Sequence, residues 1–261
     1  MKKISIDLIK QLRAKSSAGM MDCKKALVAA DCNIEKAIVW LREKGIVKAQ
    51  ERADRESKEG VCISIINPEA AGIIEMNCET DFVAKNADFI SATKEKLVQF
   101  MTGPLDESVS DLAFKYGENI VVRRYKIFDN FDFNVAEYTH TNHKSSAIVF
   151  GYGSGEALRN VAMHIVAMKP TYLTKADIPM DILAQEKEVL MNEALNENKT
   201  VKKPKPENII ERIVSGRINK YVNNVCLENQ EYVKDSSMTI AQYLKSAGSS
   251  IEGFELYNLG E

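Results

Sequence analysis

Gly151-Tyr152-Gly153-Ser154-Gly155 stands before a helical pattern, and exposed backbone N–H groups at a helix start bind anions, so a phosphate site is the first chemistry to weigh. The run lacks the Lys-Ser/Thr of a P-loop and puts Glu156 where a phosphate would sit, which favours a flexible turn. His140, His143 and His164 could serve acid–base or metal chemistry. The first two fall in a polar loop without a nearby acidic cluster and read as surface residues; His164 falls in an apolar helical stretch and reads as a core-edge residue. Cys78 beside Glu79 imitates a nucleophile with an acid, but no oriented base accompanies it, and a buried strand-end thiol is the commoner arrangement. The five cysteines are odd in number and show no C-x-x-C spacing, against both a disulfide scaffold and a zinc knuckle. The expectation is a protein without a catalytic residue, a metal or a cofactor.

Glu79-Thr80-Asp81-Phe82-Val83-Ala84 is of another kind. It leaves a strand-like run, precedes a helix-like one, and sets two acidic residues around Phe82, with Thr80 able to cap. Two arrangements fit. Phe82 folds back into the core while Asp81 caps the turn, the ordinary fate of an apolar side chain, or Phe82 faces outward as a contact. Gly19-Met20-Met21-Asp22 poses the same choice: two large flexible apolar side chains at an expected loop tip either tuck against Leu41 or meet a partner.

These residues must be carried by something. At 261 residues the chain has room for one large domain or two to three small ones. It is 45% hydrophobic and 28% charged, which is neither disordered nor fibrous. With 35 Lys and Arg against 37 Asp and Glu, net charge -2, no overall positive excess recruits phosphate backbones. No apolar run approaches the roughly 18 to 20 residues of a membrane span. Met1-Lys2-Lys3-Ile4-Ser5 is charged where a signal peptide would be greasy, so a cytoplasmic protein is expected.

Three short helical patterns come first, capped by Ser5, Asp22 and Asn33, with Gly45 stopping the third; they form a domain over 1–47. A stretch over 48–59, charged and without an apolar stripe, reads as a solvated helical linker. From 60 to 134 a hairpin (61–66 and 73–77), a helix (86–101) and a strand (120–128) form a first α+β subdomain. From 135 to 261 the order repeats, with strands at 135–139 and 147–150, a helix over 156–167 and a returning strand over 251–259. Helices over 182–195 and 208–225 interrupt this second subdomain as a projecting hairpin at about 181–225, its stripe running through Ile210, Val214, Ile218, Tyr221 and Val225. Pro206 suits a first helical position. The fold class is α+β, a three-helix module followed by a duplicated core with an inserted helical hairpin. Lys199, Lys202, Lys203 and Lys205 on the hairpin tip support an alternative, an RNA-associated protein.

The motifs Gly19-Met20-Met21-Asp22-Cys23-Lys24-Lys25-Ala26-Leu27, Asn77-Cys78-Glu79-Thr80-Asp81-Phe82-Val83-Ala84-Lys85, Gly117-Glu118-Asn119-Ile120, Ala162-Met163-His164-Ile165 and Val214-Ser215-Gly216-Arg217, with Gln230 and Asp235, span nearly the whole chain in order. The sequence thereby resembles bacterial elongation factor Ts, the nucleotide exchange factor of elongation factor Tu. That resemblance implies a ubiquitin-associated-like N-terminal domain and a coiled-coil hairpin in the second half of the core. It also implies that Asp81 and Phe82, with Thr80 and Val83, enter the GTPase domain of elongation factor Tu and promote GDP release by wedging. Met20, Met21, Glu118, Asn119 and His140 are implied as further contacts, and the second half of the core as touching another domain of that partner. Neither nucleic acid nor membrane is expected as a partner. Thr141-Asn142 stands where many members have glycines. The chain ends at Glu261, without room for the further C-terminal helix that some members carry.

Overall fold

The structure is a computed structural model and describes residues 4–16, 18–50, 52, 54–103, 108–129, 132–200 and 204–261, with 46–50 described by their backbone alone. It is a mixed α+β fold. The chain divides into two compact units, Met1–Asn130 with Thr139–Ser146 and Tyr257–Glu261, and Phe131–Tyr138 with Ala147–Leu256.

The first unit opens with three helices, α1 (Ile6–Ser16), α2 (Met20–Ala29) and α3 (Ile34–Gln50). Ser5 and Asn33 cap as expected, accepting from Leu8 N at 3.1 Å and Lys36 N at 3.0 Å. Leu12, Cys23, Ala26, Leu27 and Ala37 close a small core between them. Helix α2 starts earlier than expected: Gly19 holds the N-cap position, and Asp22 lies in the first turn, where its charge complements the helix dipole. Met20 and Met21 are therefore helical residues and not a loop tip.

Gly45 does not stop α3. A β-carbon there would come within 3.3 Å of Phe114, so the glycine lets a later helix pack close. The expected helical linker over 48–59 is helical only to Gln50; residues 52 and 54–58 form turns and an extended approach to the first strand. Their side chains bind backbone carbonyls instead: Arg52 Nη1 donates to Ala113 O at 3.1 Å and Ser57 Oγ to Asn119 O at 3.0 Å.

Strands β1 (Glu59–Ile66) and β2 (Ala70–Cys78) pair antiparallel, and their turn is set by Asn67, whose Oδ1 accepts from Glu69 N and Ala70 N. There follow α4 (Asp81–Ala84), α5 (Ala87–Thr102), α6 (Ser110–Tyr116) and β3 (Val121–Asp129), which joins β2 to give the order β1-β2-β3. The central strand β2 is buried along its whole length, and Phe89, Leu97 and Phe100 of α5 cover Val61, Ile63, Ile74 and Met76.

The second sheet repeats the connectivity. Strands β4 (Asn134–Thr139) and β5 (Ser145–Tyr152) precede α7 (Gly155–Met168), and a late strand joins β5. Helices α8 (Met180–Thr200) and α9 (Glu207–Val225) intervene, then β6 (Glu231–Tyr232), β7 (Asp235–Thr239), α10 (Ile240–Ser246) and the closing strand β8 (Ser250–Asn258). Leu158, Val161, Ala162 and Ile165 of α7 pack on Ala147, Val149 and Ile251. Helices α8 and α9 run antiparallel: Ile210 and Val214 meet Leu190, Met191 and Ala194, while Val222 and Val225 meet Ile182 and Leu183. Pro206 sits at the N-cap of α9, one residue before the position expected. Among the described residues no helix is long and apolar enough to cross a membrane.

Candidate partner-binding site

Strand β2 ends at Cys78, whose Sγ donates to Thr80 O at 3.2 Å. Burial pushes this thiol up to about 12, so it stays protonated and is no nucleophile. Thr80 takes extended backbone angles and its Oγ1 accepts from Val83 N at 3.4 Å, which caps the single turn α4. That turn has one face on the sheet. Val83 and Ala84 occupy it and are buried in the core, so Val83, expected among the contact residues, is a packing residue instead. Phe82 is turned the other way and is 83% exposed, which overturns the arrangement that folded it inward. An exposed phenyl ring forgoes about 1.5–3 kcal/mol of burial, a gain open to whatever covers it.

Asp81 pairs with Lys85 at 2.6 Å, one helical turn on, and this bond holds its carboxyl below the usual range, so it is ionised at neutral pH. Lys144 lies within electrostatic reach of Asp81 and pairs with Glu59 at 3.2 Å. Asp81, the residue before Phe82, thus sits in a run of alternating charges. Lys85, Glu59 and Lys144 escaped the sequence reading, although the i,i+4 spacing of Asp81 and Lys85 was available as a signal.

Lys144 closes the 140–144 turn that carries His140. His140 is exposed; its carbonyl accepts from His143 N at 2.8 Å and its Nδ1 from Asn142 N at 3.4 Å. The left-handed conformation that this turn needs falls on His143, with φ 56°, and His143 O accepts from Cys62 N at 2.6 Å. Thr141-Asn142 therefore fits without glycine.

Glu118 and Asn119 are brought to α4 by Gly117, which ends α6 in the left-handed region at φ 75°. The Glu118 carboxylate accepts from Glu79 N at 3.0 Å, Thr80 N at 3.1 Å and Thr80 Oγ1 at 2.5 Å. Asn119 N donates to Glu79 Oε1 at 2.6 Å, and its buried side chain donates to Arg55 O at 2.7 Å. Both residues are spent on neighbouring turns. Met20 and Met21, on α2, are 42% and 64% exposed, and so do not tuck away.

Other groups singled out by the sequence make bonds of their own. Ser154 N in the glycine-rich run already donates to Ser249 Oγ at 3.0 Å, and Ser154 Oγ caps α7, so the run is a tight turn. Among the described residues no three His, Cys, Asp or Glu side chains converge to hold a metal ion. Lys202 and Lys203 lie outside the described residues, and Lys199 Nζ donates to Asn196 Oδ1 at 3.3 Å.

His164 is fully buried and not at the core edge. Its Nδ1 accepts from Val233 N at 3.2 Å, so its Nε2 carries the proton and donates to Gln230 Oε1 at 2.9 Å. Protonation would turn a second N–H against the Val233 N–H, and burial pushes the imidazole below its usual 6.5. The folded state thus binds the proton less tightly than the unfolded chain. This stability is present above pH 6.5 and lost as pH falls below it, at up to about 1.4 kcal/mol per pH unit. Urea unfolding between pH 7.5 and 5 is expected to show that loss, and His164→Gln to remove its pH-dependent part; identical pH profiles for the two proteins would contradict it.

The site thus holds the Phe82 ring out on a turn braced by Glu118 and capped by Thr80. Residues 79–261 match the family described as Elongation factor TS, and the whole chain aligns at 37% identity over 279 residues with 94% of Elongation factor Ts from Pediococcus pentosaceus. The chain belongs to the elongation factor Ts family, and its role lies in translation elongation.

Proposed function

We propose that this chain is a guanine-nucleotide exchange factor that binds elongation factor Tu with GDP in the cytoplasm and promotes GDP release, without covalent chemistry of its own. The observation that carries the reading is the outward Phe82 on its capped turn. A pocket on the partner that admits the ring repacks discretely, because close-packed interiors resist continuous deformation, and a displaced helix disturbs the Mg2+ and phosphate contacts of the nucleotide. Asp81 is ionised but shares its charge with Lys85. For that charge to repel a phosphate the pair must part, which is cheap for an exposed ion pair. Met20, Met21 and His140 are the further contacts with the GTPase domain, and the second unit meets another domain of the partner. In this reading α1–α3 form the ubiquitin-associated-like domain and α8–α9 the coiled-coil hairpin.

Binding reciprocity makes GDP weaken the factor's hold by the ratio in which the factor weakens GDP. Adding the purified chain to elongation factor Tu loaded with fluorescent GDP is therefore expected to accelerate release in stopped flow, and excess GDP to dissociate the complex. A release rate independent of the chain's concentration overturns the proposal.

A further inference from the structure

We propose that Glu118 is a positioning residue for exchange: together with Glu79 it forms a crossed clamp that fixes α4 and aims Phe82 before any partner arrives. The inference rests on the reading of Phe82 as the wedge. A helix of one turn is far below the length at which helices hold themselves, so α4 needs outside support. Glu118 supplies it. One of its oxygens accepts from two successive backbone amides, Glu79 N and Thr80 N, which fixes the strand-to-helix corner. The other accepts the Thr80 hydroxyl proton at 2.5 Å. With that proton spent, a lone pair of Thr80 Oγ1 faces Val83 N, so the capping bond and the clamp are one chain of donors. Glu79 answers in the opposite sense by accepting from Asn119 N at 2.6 Å, which ties the Glu118 backbone to the corner that its side chain holds.

Only a carboxylate offers lone pairs for all three donors and no proton of its own. An amide at 118 must turn its NH2 toward one of them. Fixing the turn beforehand spares the cost of ordering it at docking, so the clamp raises exchange without touching the partner.

The test uses the full chain with Glu118→Ala and Glu118→Gln, each alone and combined with Phe82→Ala, in stopped-flow release of fluorescent GDP from elongation factor Tu. Glu118→Ala is expected to lower stimulated release about tenfold, the scale of a lost helix cap, and Glu118→Gln about threefold. In the Phe82→Ala background neither change is expected to have a further effect, because the clamp acts through that ring. Equal slowing in both backgrounds would make Glu118 a direct contact or a general stabiliser and overturn the proposal; so would an unslowed Glu118→Ala beside a slow Phe82→Ala. If Phe82→Ala is itself without effect, the wedge reading falls, and the clamp is judged by hydrogen exchange. The amides of Thr80 and Val83 are expected to exchange at least about tenfold faster in Glu118→Ala, and unchanged protection refutes the clamp. Should Glu118→Ala fail to fold, Glu118→Gln carries each comparison.

Discussion

Phe82→Ala is expected to slow stimulated GDP release from elongation factor Tu by about 100-fold while leaving thermal unfolding of the chain unchanged. The two halves of that expectation come from opposite sides of one observation. The ring is 83% exposed and lies outside the core of the first unit, so its removal deletes no internal packing, and surface substitutions of this kind stay within about 0.5 kcal/mol. At the partner the same ring is the one large apolar group on α4 that is free to be buried, and central aromatic anchors carry about 2–4 kcal/mol of an interface. Phe82→Leu keeps part of the apolar area and none of the planar shape, so an intermediate rate is expected from it. Stopped-flow release and a melting curve measure both halves. An unslowed Phe82→Ala ends the wedge mechanism, and a melting temperature lowered by many degrees shows that the ring was serving its own fold.

Much of the molecule was legible in the residues, because the signals were local. Hydrophobic period and caps placed Ser5 and Asn33 at their helices, and the stripe through Ile210, Val214 and Ile218 foretold the α8–α9 pairing. Gly45 was misread because a glycine that ends a helix and one that admits a neighbouring ring look alike in a sequence; Phe114, the neighbour, lies 69 residues away (114 minus 45). The short elements α4, α6, β6, β7 and α10 are held by tertiary bonds or by caps such as the Thr239–Gln242 capping box, and they carry too few residues to show a period. At the candidate site the residue types were visible and their directions were not. Phe82 and Val83 are adjacent and both apolar, and only the fold decides that one faces out while the other packs in. Glu118 and Glu79 sit 39 residues apart, and nothing in their spacing announces a crossed clamp.

Glu75→Ala is expected to cost the fold about 3 kcal/mol, the largest stability loss among the polar positions of the first unit. Glu75 is fully buried in the central strand β2, where a lone carboxylate would be prohibitive. It is answered by Arg124 Nε at 2.7 Å and Arg123 Nη1 at 3.3 Å, although consecutive strand residues ordinarily point to opposite faces. The register supplies the reason. Glu75 faces Arg124 while Met76 faces Val122, so Arg123 is the extra residue of a β-bulge, and the bend brings both guanidinium groups to one carboxylate. The same carboxylate accepts from Gly260 N at 3.2 Å, and Arg124 goes on to Asn258 O at 2.9 Å and stacks on the Tyr257 ring at 4.3 Å. Removing one partner of a buried ion pair costs about 3–5 kcal/mol, but both arginines here are one-third or more exposed and can turn to water, which places the loss at the lower end. For a chain of this size that is a fall of roughly 10 °C in melting temperature. Arg123→Ala, which leaves the shorter Arg124 bond in place, should cost less than Arg124→Ala, which also frees Asn258 O and the Tyr257 ring. Denaturant unfolding of the three variants gives the order directly, and an Arg123→Ala loss equal to that of Glu75→Ala would mean that the bulge residue, and not Arg124, is the true counter-ion.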